Sequence, residues 1–98
     1  MPSAEVQSTA LVDRALQLSD RVSLRPEPFG ALAYHYGTRR LVFVKDRQLV
    51  RVLEALASHP SLAATFDACG VGEHRRAAFT KAIAGLIESE MIRERADV

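Results

Sequence analysis

A chain of 98 residues is one domain's worth of sequence, able to bury roughly 60–70% of its unfolded surface around one modest core. With 48% hydrophobic and 26% charged residues it is globular rather than disordered, and it has no room for a scaffold plus a deep, walled reaction site. Thirteen Lys and Arg stand against 12 Asp and Glu, a formal charge of +1, which lacks the concentrated basic excess of a phosphate-neutralising surface and argues against nucleic acid.

No apolar run approaches the roughly 18–20 residues of a membrane span, and the N-terminus has no signal-like apolar core, so no membrane partner is expected. A single cysteine, Cys69, has no internal partner for a disulfide, which fits a reducing, cytoplasmic setting.

In chain order, residues 1–10 (MPSAEVQSTA) are small and polar and read as a loose lead-in. Leu11, Ala15 and Leu18 recur at helical spacing, which gives a short helix or an ordered arm lying on the body. Residues 1–17 are therefore set apart as a flexible or partly helical arm, and 18–98 as the domain proper. Arg21–Arg25 alternates polar and apolar residues as a half-buried strand does, and Pro26 and Pro28 are expected to stop it. Ala31–Tyr36 and Arg40–Lys45 are the clearest strands. Gly37-Thr38 between them suits a two-residue hairpin turn that pairs Tyr36 with Arg39, Tyr34 with Leu41 and Leu32 with Phe43. That register gathers Leu32, Tyr34, Leu41 and Phe43 on one face, which is expected to be the packed one.

Three helices follow. Asp46 caps Arg47–Ser58, with Leu49, Val50, Leu53, Leu56 and Ala57 as its apolar stripe, and His59-Pro60 ends it. Ser61 caps Leu62–Cys69, with Gly70 as its stop. The last helix runs from about Glu73 to Ser89 and turns Phe79, Ala82, Ile83, Leu86 and Ile87 inward. A small antiparallel sheet must rest on helices to be stable. The fold class is therefore α+β and winged-helix-like, a three-stranded antiparallel sheet followed by three helices.

Chemistry is harder to find. His35, His59 and His74 lie in different elements without metal-ligand spacing, so no metal and no cofactor are expected; His35 reads as a solvent-facing strand residue. Cys69 would need a base and an oxyanion site beside it to act as a nucleophile, and its place at the end of a short helix next to Gly70 reads as a small packed side chain. Gly70-Val71-Gly72 lacks the Lys-Ser/Thr ending of a phosphate loop and reads as a turn. Nothing here is catalytic. What stands out is Arg40–Lys45, an apolar, proline-free strand at a sheet edge. Either a partner strand adds there, or a terminus or another subunit covers it, and the residues alone leave both open, including a homodimer.

The stretch Arg25-Pro26-Glu27-Pro28-Phe29-Gly30-Ala31-Leu32-Ala33-Tyr34-His35-Tyr36-Gly37, followed by Arg39-Arg40-Leu41-Val42-Phe43-Val44-Lys45, closely resembles the peptide chaperones of mycofactocin biosynthesis. These belong to the PqqD-like recognition domains for ribosomally made, modified peptides. The resemblance spans roughly Leu18 to Arg93. It implies a non-catalytic domain that takes the leader of the mycofactocin precursor peptide as an extra strand beside the third strand, in a cleft against the last helix. Carried onto this chain, the peptide-binding residues are Arg40, Leu41, Val42, Phe43 and Val44 on the strand, and Arg75, Ala78, Phe79 and Ala82 on the helix. Which of the helix residues face the peptide, and whether Phe79 serves the core instead, is open. A proline at Val42 is expected to abolish binding and spare the fold.

The resemblance also implies a second partner, the radical S-adenosylmethionine (radical SAM) maturase, which would hold all the iron–sulfur chemistry. Glu90 departs from the pattern, since such domains often carry glycine after the last helix. The alternative reading of the outline is a winged-helix DNA-binding regulator, carried by Arg39, Arg40, Arg75 and Arg76.

Overall fold

The computed structural model describes residues 11–95; the lead-in expected over 1–10 lies outside the described residues. In chain order come β1 (Leu16–Leu18), β2 (Val22–Glu27), β3 (Gly30–His35), β4 (Leu41–Val44), α1 (Arg47–Ala55), a 3-10 turn (Leu56–Ser58), α2 (Leu62–Ala68), α3 (Glu73–Glu88) and β5 (Ile92–Glu94). The class is α+β as expected. Strands β2, β3 and β4 form an antiparallel meander in that spatial order, and β1 pairs with β5 in a separate two-stranded ribbon.

Strand β2 continues through Pro26 to Glu27, contrary to the expected stop. The reason lies in the ladder. Tyr36 N–H donates to Arg21 O at 2.8 Å, and hydrogen-bonded pairs alternate along antiparallel strands. Pro26, opposite Ala31, therefore falls at a position whose amide faces the open side of an edge strand, where no donor is needed.

The β3–β4 register is the expected one, with Tyr34 opposite Leu41 and Leu32 opposite Phe43. The turn is not. The backbone of His35 takes Arg40 as its partner, with His35 N–H donating to Arg40 O at 2.9 Å and Arg39 N–H to His35 O at 2.8 Å. Arg39, at φ 63, takes the left-handed position that Gly37 was expected to supply. His35 is buried, not solvent-facing, and its Nδ1 accepts from the N–H groups of Gly37 (3.0 Å) and Thr38 (3.1 Å). A side-chain acceptor thus closes a wider turn than two residues would make.

The packed face of the hairpin is the opposite of the one expected. Ala31, Ala33 and Val44 are buried, whereas Leu41 is 53% and Phe43 56% exposed. Helix α1 lies against β3 and β4. The small inward residues let it approach, and a face of Leu, Tyr and Phe would hold it off. Gly30 belongs to this close approach: a Cβ there would stand 2.1 Å from Val44 O, and its φ of +149 suits only glycine. Arg47, in the first turn of α1, donates from Nε and Nη2 to Pro28 O at 3.2 and 2.9 Å and ties the β2–β3 corner to the helix.

Both side-chain caps form. Asp46 Oδ1 accepts from Gln48 N (2.8 Å) and Leu49 N (3.0 Å), and Ser61 Oγ from Ala64 N (3.1 Å). Helix α2 ends in a Schellman closure, with Gly70 left-handed at φ 70 and Val71 N–H donating to Phe66 O at 3.0 Å. Helix α3 ends the same way: Glu90 N–H donates to Ile87 O (3.0 Å) and Met91 N–H to Leu86 O (2.8 Å), with Glu90 itself at φ 65. The departure from glycine at this position therefore leaves the helix ending intact and places an L-residue in the left-handed region.

Leu11–Asp13 form a helical turn, and the chain then becomes β1 rather than continuing as a helix. Leu16 and Ile92 are almost fully buried, and β1 lies against the 3-10 turn. Arg95 completes the tie, its Nη1 and Nη2 donating to Ala57 O (2.5 Å) and His59 O (2.7 Å). The shared core runs through Val52, Leu53, Leu56, Leu62, Phe66, Ile83 and Met91, none more than 2% exposed. Each such side chain contributes about 1.5–3 kcal/mol of burial.

Candidate functional site

Strand β4 has β3 on one side and, among the described residues, no strand on the other. Because His35 bonds Arg40, the alternation makes Ala33–Val42 and Ala31–Val44 the hydrogen-bonded pairs. The N–H and C=O groups of Leu41 and Phe43 consequently point to the open side. This is an extended row of free donors and acceptors with the spacing a further strand needs.

Beside that edge runs a groove of about 300 Å³, lined by Val42, Phe43, Val44, Lys45, Asp46, Leu49, Ala82 and Leu86. Its walls come from three elements. Strand β4 supplies the edge, the start of α1 closes one end with Asp46 and Leu49, and α3 supplies Ala82 and Leu86, one turn apart on the same face. Ala82 is exposed, not inward as its helical spacing suggested, and its small side chain leaves the space between helix and strand unfilled.

The structure brings Val42, Phe43, Val44 and Ala82 of the expected residues together around this groove. Leu41 projects to the outer face of the sheet, and Arg40 precedes β4 at the mouth of the turn. Ala78 is exposed one turn before Ala82 and does not line the groove. Phe79 is 5% exposed and 6.3 Å from the Phe66 ring, so it serves the core. Arg75 is committed within the fold. Its Nη2 pairs with Asp46 Oδ2, its Nη1 donates to Gln48 Oε1 at 2.6 Å, and its guanidinium lies 4.8 Å over the Phe79 ring. This fixes α3 to the start of α1 and sets the width of the groove at that end.

Lys45, Asp46, Leu49 and Leu86 line the groove without having been expected there. Leu86 was within reach of the sequence, since it follows Ala82 by one helical turn. Lys45 is the exposed cation at the rim, and Arg39 and Arg40 are exposed at the opposite end of β4. The groove is thus an apolar trough with Lys45 at its rim, and β4 carries exposed positive charge at both ends.

A second hollow of about 390 Å³ is lined by Arg51, Glu54, Ala55, Ala68 and Cys69. It is more open and has no free strand beside it. Among the described residues no three His, Cys, Asp or Glu side chains converge as a metal site would need. No helix of the described chain is long and apolar enough to cross a membrane.

The family model described as Peptide chaperone MftB family matches residues 15–93. The protein named Peptide chaperone MftB from Mycolicibacterium smegmatis is 42% identical over 80 residues, which cover 82% of this chain and 78% of that one. Its namesakes from Mycobacterium ulcerans and Mycobacterium tuberculosis are 42% and 39% identical over 80 residues, covering 82% of this chain and 73% of each. No solved structure matches the chain significantly. The matched region runs from β1 into β5 and takes in every element that builds the groove, so the chain belongs to the Peptide chaperone MftB family, whose members are non-catalytic chaperones.

Proposed function

We propose that this protein holds the leader of the mycofactocin precursor peptide as an added strand along β4 and presents the peptide to a radical SAM maturase. The observation that carries the reading is the apolar groove lying directly beside an unpaired strand edge. Backbone bonds to Leu41 and Phe43 would supply affinity, and side chains entering the trough between β4 and α3 would supply selectivity. The cluster and radical chemistry would then belong to the maturase, and this chain would act by fixing one segment of a flexible substrate. That role, together with the lone thiol, is in keeping with a cytoplasmic site of action.

The rival reading as a DNA-binding regulator is weakened by the way its cations are used. Arg75 is tied to Asp46, and Arg76 donates to Asp67 Oδ1 at 2.8 Å and to Val71 O at 3.0 Å, which leaves Arg39 and Arg40 as a sparse patch.

Calorimetric titration of the purified chain with a synthetic precursor leader tests the proposal, with Ala82→Glu as the comparison. Ala82 is exposed, so a glutamate there leaves the fold in place and fills the trough with charge. Affinity should fall at least about tenfold. Equal affinity of the two proteins would reject the groove as the site.

A further inference from the structure

The same hairpin carries a second feature, which shares only Phe43 with the groove. Phe29, Tyr36, Leu41 and Phe43 are the large hydrophobic residues that stand exposed, at 40, 57, 53 and 56%. Leu41 and Phe43 share one face of the sheet with Leu32 and Tyr34, and the Phe29 ring stacks on Phe43 at 5.8 Å with 24° between planes. At the other end of this face Tyr36 meets Tyr34 edge-on at 5.5 Å. This is a continuous apolar surface on the side of the sheet away from the helices, and it reaches the open edge at Leu41 and Phe43.

We propose that this outer face is a second row of subsites, so that the chaperone reads its guest strand on both faces. The inference rests on strand addition along β4. Successive side chains of a strand point to opposite faces. A guest beside β4 therefore sends every second side chain into the groove and the intervening ones outward, next to Leu41 and Phe43. The outer residues would extend the Phe29–Phe43 stack. The ligand so defined is an extended peptide with apolar side chains at consecutive positions, an aromatic or large aliphatic one outward, and acidic residues flanking them. The acidic requirement comes from Arg39 and Arg40, which have no acidic partner among the described residues, and from Lys45 at the far end.

A second copy of this chain is a poorer occupant. Antiparallel pairing of two β4 edges would bring Arg39 and Arg40 of each copy against Lys45 of the other, joining like charges at both ends. An acidic strand neutralises the same groups.

The test is titration with a synthetic precursor leader and its single-alanine variants, against the wild type, Phe43→Ser, Leu41→Ser and Ala82→Glu. Phe43 and Leu41 are more than half exposed, so both serine variants keep the fold, checked by circular dichroism. Leu41→Ser, whose side chain lies outside the groove, and Phe43→Ser should each weaken the leader about tenfold. Alanine substitutions in the leader should fall into two alternating sets, one coupled to Leu41 and the other to Ala82. If Ala82→Glu loses binding while Phe43→Ser and Leu41→Ser bind as the wild type does, the second row is wrong and strand addition stands. If all three variants bind normally, strand addition fails with it. Unchanged leader affinity combined with altered self-association, or with lost capture of the maturase, would hand this face to a second copy or to the enzyme and overturn the proposal.

Discussion

Two proline substitutions one residue apart should behave in opposite ways. Val42 donates its N–H to β3, whereas the Leu41 N–H points to the open edge. In Val42→Pro the carbonyl of Ala33, a residue 1% exposed, loses its partner in a buried setting. That alone costs about 1–3 kcal/mol, and the packing of the Val42 side chain is lost as well. At about 4–8 °C per kcal/mol for a domain of this size, the melting midpoint should fall by roughly 10 °C. The earlier expectation that a proline at Val42 would spare the fold is thus reversed by the register. In Leu41→Pro no internal bond is removed and the side chain is half in water, so stability should change by no more than about 0.5 kcal/mol. A guest carbonyl would be left without a donor, which should weaken the leader about tenfold. Leu41→Ala, which keeps the N–H, separates this loss from that of the side chain. Thermal unfolding by circular dichroism and calorimetric titration read the two effects. A stable Val42→Pro with an unfolded Leu41→Pro would refute the deduced alternation, and full leader affinity in Leu41→Pro would refute the use of the edge.

Two stability predictions probe the elements that frame the groove. Gly30→Ala places a Cβ against Val44 O in a backbone conformation closed to alanine, and should destabilise by more than about 2 kcal/mol in urea unfolding. Glu90→Gly relieves a left-handed L-residue and should stabilise by about 0.5–1 kcal/mol, a gain of a few degrees in the melting midpoint, without altering leader affinity.

Local chemistry was the most legible part of the fold. The caps at Asp46 and Ser61 and the stop at Gly70 are decided by side chains within a few residues of the backbone groups they serve, and each formed where the sequence put it. The Tyr34–Leu41 register was legible for the same reason. Which face of the hairpin packs was not, because alternation defines two faces without saying which one meets a helix. Bulk favoured Leu32, Tyr34, Leu41 and Phe43, whereas the approach of α1 required Ala31 and Ala33.

The β1–β5 ribbon was invisible because two three-residue strands from opposite ends of the chain carry no periodic signal of their own. The turn at residues 36–39 depended on the His35 imidazole accepting two backbone N–H groups, a bond that composition does not encode. The groove itself was half legible. The family resemblance pointed to the strand and the helix, but Arg75 and Phe79 turned out to brace and fill the fold. Ala82, read as a core residue by its spacing, forms part of the empty trough.

Amide hydrogen exchange followed by NMR, with and without the synthetic leader, addresses strand addition most directly. In the free protein Val42 and Val44 should exchange slowly and Leu41 and Phe43 fast; with the leader bound, Leu41 and Phe43 should become protected while the two valines change little. Protection that appears elsewhere on the molecule, with Leu41 and Phe43 still exchanging freely in the saturated complex, would contradict the account.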